Sequence, residues 1–323
     1  MTLTPLDGWI YHGVKGFEGH LLEEIGQCAA HWGDLYHGRA ADTPVFWNRN
    51  IWLAPFTLRF GSISEAAGAL RVIQRNWRLT PTAHFRRAAL IEARLPRVST
   101  KPRLFPWIMG TAPMGGWTLV DPHTIIGSAR CTSPFPGGAV TFAEDKTGPP
   151  SRAYLKLWEA LTLCRAWPRA RDACLDAGAS PGGWTWALSR LGALVTAVDR
   201  APLADRIRAM PGVTYLKHDA FTLKPQDIGP IRWLFCDAAC YPRRLFRWIE
   251  AWLESGLCAN FVCAIKMQGA PDTETARAFA AIPRSAVVHL SHNKHELTWM
   301  KTDPSESAGD SGSPPVPVKD RGA

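Results

Sequence analysis

The stretch 174–200 constrains this chain more than any other: Cys-Leu-Asp-Ala-Gly-Ala-Ser-Pro-Gly-Gly-Trp-Thr-Trp-Ala-Leu-Ser-Arg-Leu-Gly-Ala-Leu-Val-Thr-Ala-Val-Asp-Arg. A buried strand ends at 173–175, a helix fits 184–190 and a second strand fits 193–198, so the stretch reads as one βαβ unit. Gly178-Ala-Ser-Pro-Gly-Gly183 stands between the first strand and the helix. Its small residues allow a tight turn and let the backbone approach a ligand at the helix N-terminus. Asp199 closes the second strand about 20 residues further on, where a carboxylate can accept hydrogen bonds from a ribose diol.

Two phosphate-binding patterns are absent here: the loop is not Gly-x-Gly-x-x-Gly, and no Lys-Ser or Lys-Thr follows its glycines. A nucleoside ligand without a pyrophosphate fits better, and a plain strand-to-helix turn in an ordinary α/β domain is the alternative. Asp176-x-Gly-Ala-x-Pro-Gly-Gly-Trp184 resembles motif I of the FtsJ-type S-adenosylmethionine-dependent methyltransferases. The resemblance implies S-adenosylmethionine as cofactor, with Ser180, Pro181, Gly182, Gly183, Trp184 and Asp199 around it.

After Asp199 the chain keeps alternating. A strand at 213–216 runs into Asp219, and a strongly apolar strand at 231–236 ends at Asp237. A helix at 243–254 stops at Gly256, and a strand at 261–265 ends at Lys266. Strands at 287–290 and 297–300 follow, the last begun by Glu296. This predicts a Rossmann-like α/β domain with a mostly parallel sheet over 151–302, in which strand carboxyl ends line the ligand crevice and Asp237 and Lys266 can meet.

Ser151-Arg-Ala-Tyr-Leu-Lys-Leu157 opens a helix. A lysine in the first turn opposes the macrodipole, although a surface lysine explains Lys156 as well when the segment is taken alone. The segment resembles the opening of FtsJ-type catalytic domains. By that resemblance Lys156, Asp237, Lys266 and Glu296 are the four members of a catalytic Lys-Asp-Lys-Glu tetrad. Asp219 is likewise implied to meet the adenine amino group, and Asp237 to border the cofactor. One departure is motif IV, which reads Asp237-Ala-Ala-Cys-Tyr-Pro242 rather than Asp-Met-Ala-Pro.

Gly16-Phe17-Glu18 and Gly127-Ser-Ala-Arg-Cys-Thr-Ser-Pro-Phe135 extend the similarity towards the bacterial enzymes that methylate a 23S rRNA cytidine at its ribose 2'-oxygen. That implies an N-terminal α+β, THUMP-like RNA-binding domain over 1–131, with 23S rRNA or a precursor as partner, although this half looks shorter than theirs. A ribose 2'-hydroxyl is a poor nucleophile at neutral pH, so such an enzyme has to align it and assist loss of its proton. Lys266 is the residue to set on that hydroxyl. A second cation such as Lys156 pushes its pKa down, and Asp237 and Glu296 stabilise its charged form.

The N-terminal half predicts a short strand at 11–14, a helix over 17–31 from the spacing of Leu21, Leu22, Ile25 and Ala29, and one or two strands within 45–60. A helix capped by Ser64 runs to about Trp77, and strands fit 116–119 and 124–129. From Arg71 to Arg103 nine cations face one acid, Glu92, and Trp77, Phe85, Phe105 and Trp107 interleave with or follow them. That mixture suits single-stranded RNA, and it equally describes a solvated basic face over buried aromatics. Across the chain 37 Lys and Arg stand against 28 Asp and Glu, a net +9, which favours a polyanionic partner.

The Pro/Gly-rich run 132–150 reads as a connector, and 303–323 as a disordered tail with almost nothing apolar to bury. The eight cysteines lack Cys-x-x-Cys pairs and read as buried reduced thiols. His292-x-x-His295 lacks a third metal ligand and reads as solvent-exposed turn histidines. No metal is expected. No apolar run reaches about 18 residues and no leader pattern opens the chain, so a cytoplasmic location is expected and no membrane partner. Besides the ribose methyltransferase, two other classes are a methyltransferase acting on a base or small molecule and an RNA-binding protein without activity. The first lacks its usual acceptor motifs here, and the second has no use for four tetrad positions.

Overall fold

Short apolar runs separated by turns build the first half of the chain. The computed structural model describes residues 2–306. In it this half contains strands β1 (Thr2–Pro5), β2 (Trp9–Gly13), β3 (Cys28–Trp32), β4 (Leu35–Gly38), β5 (Asn48–Leu53), β6 (Phe56–Arg59), β7 (Trp77–Leu79), β8 (Gly115–Asp121), β9 (Thr124–Ser128) and β10 (Arg130–Cys131). Its helices are α1 (Glu18–Ile25), α2 (Ile63–Ile73) and α3 (Phe85–Glu92). Two five-stranded sheets result, β1-β6-β9-β8-β7 and β10-β5-β2-β4-β3. Only β7 and β8 pair in parallel. Helices α2 and α3 bury Ala66, Leu70, Ala88 and Ile91 with Phe56, Leu58, Trp77 and Trp117 of the first sheet. Ile10 and Trp52 of the second sheet meet Ile126 of the first. This is the α+β arrangement expected of an antiparallel pattern with few helices.

Several local expectations are corrected here. The helix expected over 17–31 ends at Ile25, because Gly26 takes a positive φ of 69°, and 28–32 becomes β3. The cap of α2 is Ser62, not Ser64. Its side chain accepts from the Glu65 N–H at 3.2 Å, and the Glu65 side chain accepts from the N–H of Gly61, the residue before the cap, at 2.8 Å. That helix stops at Ile73, and Trp77 lies in β7, its indole donating to Leu70 O.

The basic run 71–103 is spread over α2, β7, α3 and the loop beyond. Trp77 belongs to the core, whereas Phe85 is exposed beside Arg86. Arg78 pairs with Glu92 at 3.7 Å. Phe105 belongs to the second unit, stacked on Trp158 with centroids 5.1 Å apart.

That second unit takes residues 103–109 and everything from 142 onward, leaving 110–141 with the first. The run read as a connector is therefore packed at both ends. Phe135 is buried in the first unit and Phe142 in the second, where it bridges to Arg103. A Pro/Gly-rich composition hid these buried aromatics.

The second unit contains α4 (Tyr154–Cys164), β11 (Ala173–Ala177), α5 (Gly183–Arg190), β12 (Leu194–Asp199), α6 (Asp205–Arg208), β13 (Val213–Lys217), α7 (Pro225–Ile228), β14 (Ile231–Cys236), α8 (Pro242–Ser255), β15 (Cys258–Lys266), α9 (Thr273–Ala281), β16 (Ser285–Val288) and β17 (Glu296–Lys301). One seven-stranded sheet runs β13-β12-β11-β14-β15-β17-β16. Its first five strands are parallel, and β17 is antiparallel to both neighbours. Cys174 to Ala177, Trp233 to Cys236 and Asn260 to Ile265 are buried throughout, the signature of strands covered on both faces. This is the Rossmann-like, mostly parallel sheet expected. The order reverses at β11, with β12 on one side and β14 on the other, and opens a crevice at their carboxyl ends. Helix α9 was not anticipated. Asp272 caps it, accepting from Thr275 N at 3.0 Å.

All eight cysteines are free, and burial raises the thiol pKa of Cys174, Cys236, Cys258 and Cys263. Of the expected tail, Pro304–Glu306 forms one 3-10 turn, and 307–323 lies outside the described residues. No helix among the described residues is long and apolar enough to cross a membrane.

Candidate active site

Lys156, Asp237, Lys266 and Glu296 meet at the carboxyl end of the sheet. Lys266 closes β15 and Glu296 opens β17, and the two are register partners across that antiparallel pair. Asp237 follows β14 directly, its N–H donating to Ala177 O at 3.1 Å. Lys156 comes from the first turn of α4 and is only 6% exposed. Its Nζ donates to Asp237 Oδ1 at 2.9 Å, to Oδ2 at 3.1 Å and to Glu296 Oε1 at 2.8 Å. Lys266 Nζ lies 2.8 Å from Asp237 Oδ1 and 3.4 Å from Glu296 Oε2. Two cations thus alternate with two carboxylates, and the apparent dipole penalty at Lys156 is offset by two ion pairs. Burial lowers the Lys266 pKa, but Asp237 and then Glu296 outweigh it, and the ammonium is held above its ordinary range.

A cavity of about 360 Å3 adjoins this cluster, bordered by Asp237 and Lys266 on one side and by Ser180, Asp199, Asp219 and Phe221 on the other. The loop after β11 shapes it. Gly178 has φ +76°, and a Cβ there would stand 2.5 Å from Ala238 Cα, so only glycine lets the motif I turn meet the chain after Asp237. Asp199 accepts from Ser180 N at 3.0 Å and Ala201 N at 2.8 Å, which fixes its carboxylate while leaving lone pairs for hydroxyl donors. Asp219 accepts from Phe221 N at 3.0 Å and from Arg244 at 3.2 Å, and these donors overcome desolvation to lower its pKa. Two anchored carboxylates, an aromatic ring and a close-approach glycine suit a nucleoside carrying hydroxyl and amino donors.

Of the residues assigned to cofactor binding by sequence, Ser180, Asp199, Asp219 and Asp237 line this cavity, and Pro181, Gly182, Gly183 and Trp184 do not. Gly182 and Gly183 serve packing: a Cβ would stand 2.7 Å from Ile207 Cγ2 at the first and 2.5 Å from Ser151 Oγ at the second. Trp184 is buried, donates to Ala153 O at 2.9 Å and lies with its ring 5.9 Å from Lys156 Nζ. It supports the lysine instead of touching the cavity.

Two buried acids escaped the sequence reading. Asp176 opens the motif I pattern, so the signal was in hand. Burial raises its pKa to about 7, Thr185 donates to Oδ2 at 2.6 Å, and Oδ1 has no partner among the described residues. Glu159 lies one turn after Lys156, and its two oxygens face Ser291 N and Oγ at 3.0 Å each, just before Glu296. Burial pushes it up to about 8.

A folded-state pKa raised from 4.5 to about 8 means the native state holds a proton that the unfolded chain has lost. This contribution to stability is whole below pH 4.5 and is lost as pH rises through about 8. Glu159→Gln keeps a neutral acceptor and donor. Its unfolding free energy, followed by urea titration across that window, should therefore fall less with rising pH than the parent's, and parallel curves would refute the assignment.

The two histidines are half-buried instead of solvent-exposed, and burial followed by Arg152 lowers the pKa of His292. Among the described residues no cluster of three or more His, Cys, Asp or Glu could hold a metal ion.

Residues 149–292 match the family model described as FtsJ-like methyltransferase. The ribosomal RNA large subunit methyltransferase M of Azoarcus sp. (strain BH72) is 37% identical over 148 residues, 43% of this chain and 38% of that protein. The protein of the same name from Alkalilimnicola ehrlichii is 41% identical over 125 residues, 36% of this chain and 34% of its own length. That from Halorhodospira halophila is 34% identical over 157 residues, 46% of each. The matched stretch is thus less than half the length of each of these relatives.

Proposed function

We propose that the chain, whose residues 149–292 match the FtsJ-like methyltransferase model, transfers a methyl group from S-adenosylmethionine to a ribose 2'-hydroxyl of RNA, a cytidine of 23S rRNA or its precursor. The observation that carries this reading is the gathering of Lys156, Asp237, Lys266 and Glu296 beside a cavity with nucleoside-binding chemistry. Asp199 would take the ribose hydroxyls and Asp219 the adenine amino group. S-adenosylmethionine supplies a methyl already activated by its sulfonium.

The protein's part is then alignment and proton removal. Lys266, at the cavity edge, would take the proton of the 2'-hydroxyl. It is held as an ammonium by Asp237 and Glu296, yet burial works in the opposite direction, so displacement of water by bound cofactor and RNA would make its neutral form more accessible. Asp237 and Glu296 would orient Lys266, and Lys156 would hold both carboxylates in place. The names of the relatives support RNA as substrate, and the excess of basic residues agrees with it. The first unit, proposed as a THUMP-like RNA-binding domain, would supply further contacts.

Purified protein should methylate RNA from cells lacking this gene, with labelled S-adenosylmethionine as donor. The product should carry one linkage made resistant to alkaline cleavage. Methyl found on a base, or no transfer to any RNA, would refute the reading.

A further inference from the structure

Helix α8 begins five residues after Asp237, and its charges are arranged against its own stability. Arg243, Arg244 and Arg247 are exposed in its first two turns, while Glu250 and Glu254 are exposed towards its end. The macrodipole favours the reverse order, acids first and bases last. The buried face needs none of these charges, since Leu245, Trp248, Ile249 and Trp252 fill it. The cations border a groove of about 560 Å3 completed by Lys224, and the groove shares Phe221 and Arg244 with the candidate cofactor cavity. Arg243 reaches Glu274 at 3.3 Å and Arg244 reaches Asp219 at 3.2 Å, both as exposed pairs. Such pairs are weak and readily exchanged for another anion. At the head of the helix stands Tyr241, the one exposed Phe, Tyr or Trp among the described residues of this unit, 65% accessible. Its carbonyl accepts from Arg244 N and Leu245 N, so its backbone is fixed.

We infer that this face of α8 guides the single-stranded RNA flanking the nucleotide to be methylated, with phosphates on Arg243, Arg247 and Lys224 and a base stacked on Tyr241. The inference rests on the proposed RNA substrate. Cations in a row beside one aromatic are what a strand with regular phosphates and a π-face at every base requires. Continuity with the cofactor cavity brings that strand to Lys266.

Arg243→Glu tests it, because the substitution places an acid where the helix dipole favours one. Binding of a labelled single-stranded cytidine oligonucleotide to the full chain, with S-adenosylhomocysteine present, should weaken on the order of tenfold at about 0.1 M salt, and the slope of log affinity against log salt should shrink by about 0.7 for each phosphate the variant no longer neutralises. The melting temperature should change little, the gain from the helix dipole offsetting the loss of the exposed pair with Glu274. Should Arg243→Glu fail to fold, Arg247→Gln is expected to reduce the slope in the same way, and Tyr241→Phe should bind as the parent does while Tyr241→Ala binds less tightly. Parental affinity and slope in the arginine variants, or weaker binding at an unchanged slope, would overturn the inference. Methyl transfer by the parent protein, assayed alongside, reports on the proposed function separately.

Discussion

Replacing Lys266 by alanine is expected to cut methyl transfer about a hundredfold or more, the scale of a positioned general base, while S-adenosylhomocysteine still binds. The geometry supports that separation. Lys266 is only one of two ammonium groups on the carboxylate pair, and Lys156 keeps both Asp237 and Glu296 paired at 2.8 to 3.1 Å when it is gone. Asp199 and Ser180 lie on the other side of the cavity and keep their own hydrogen bond. The parent should also carry a pH signature. Because Asp237 and Glu296 hold Lys266 above its ordinary range, the neutral base is scarce near neutrality, and single-turnover rates should climb with pH. Lys266→Ala should lose both the rate and most of that climb. A variant that transfers methyl at the parental rate, or keeps the parental pH profile, would remove Lys266 from the chemistry.

The second unit was legible because its signals are redundant. Strands such as β14 and β15 are mostly apolar and buried, the glycine turn sits where a Rossmann-like sheet places one, and Asp237, Lys266 and Glu296 stand at the strand ends that border the crevice. Order along the chain was enough to pair Lys266 with Asp237. The contact of Lys156 with both acids was not readable, since it depends on how α4 docks, and propensity says nothing about docking. The orientation of Trp184 was unreadable for the same reason: motif position puts it next to the loop, and the helix phase of α5 turns its ring towards Lys156. Glu159 shows a different limit. A buried carboxylate looks like any helical glutamate in sequence, and only its pairing with Ser291 explains its place.

The first unit was less legible because its strands are short and edge-rich, so one glycine decides between helix and strand. Gly26 does this at the end of α1. The serine cap of α2, by contrast, was written in the sequence, and only the choice between two nearby serines went astray. The cation-rich run divided itself by burial, which periodicity over so short an α3 could not resolve.

Lys156→Ala should behave differently from Lys266→Ala, with its main effect on stability. Lys156 is 6% exposed, against a side-chain exposure of 26% for Lys266, and it is the closer partner of Glu296. Its removal leaves two carboxylates, themselves nearly buried, sharing one partly solvated lysine. Breaking a buried ion pair by deleting one partner costs about 3–5 kcal/mol, because the charge left behind keeps its desolvation penalty. Against a total of about 5–15 kcal/mol for a folded domain, that is a large share. The midpoint of urea unfolding should therefore drop sharply at an unchanged m-value, while Lys266→Ala unfolds near the parental midpoint. Neutralising the stranded acid checks the cause. Lys156→Met combined with Glu296→Gln removes both ends of one pair, so it should regain much of the lost stability and none of the methyl transfer. Equal midpoints for Lys156→Ala and the parent would mean that water compensates the two acids, and the four-residue cluster would then owe its geometry to the strands alone.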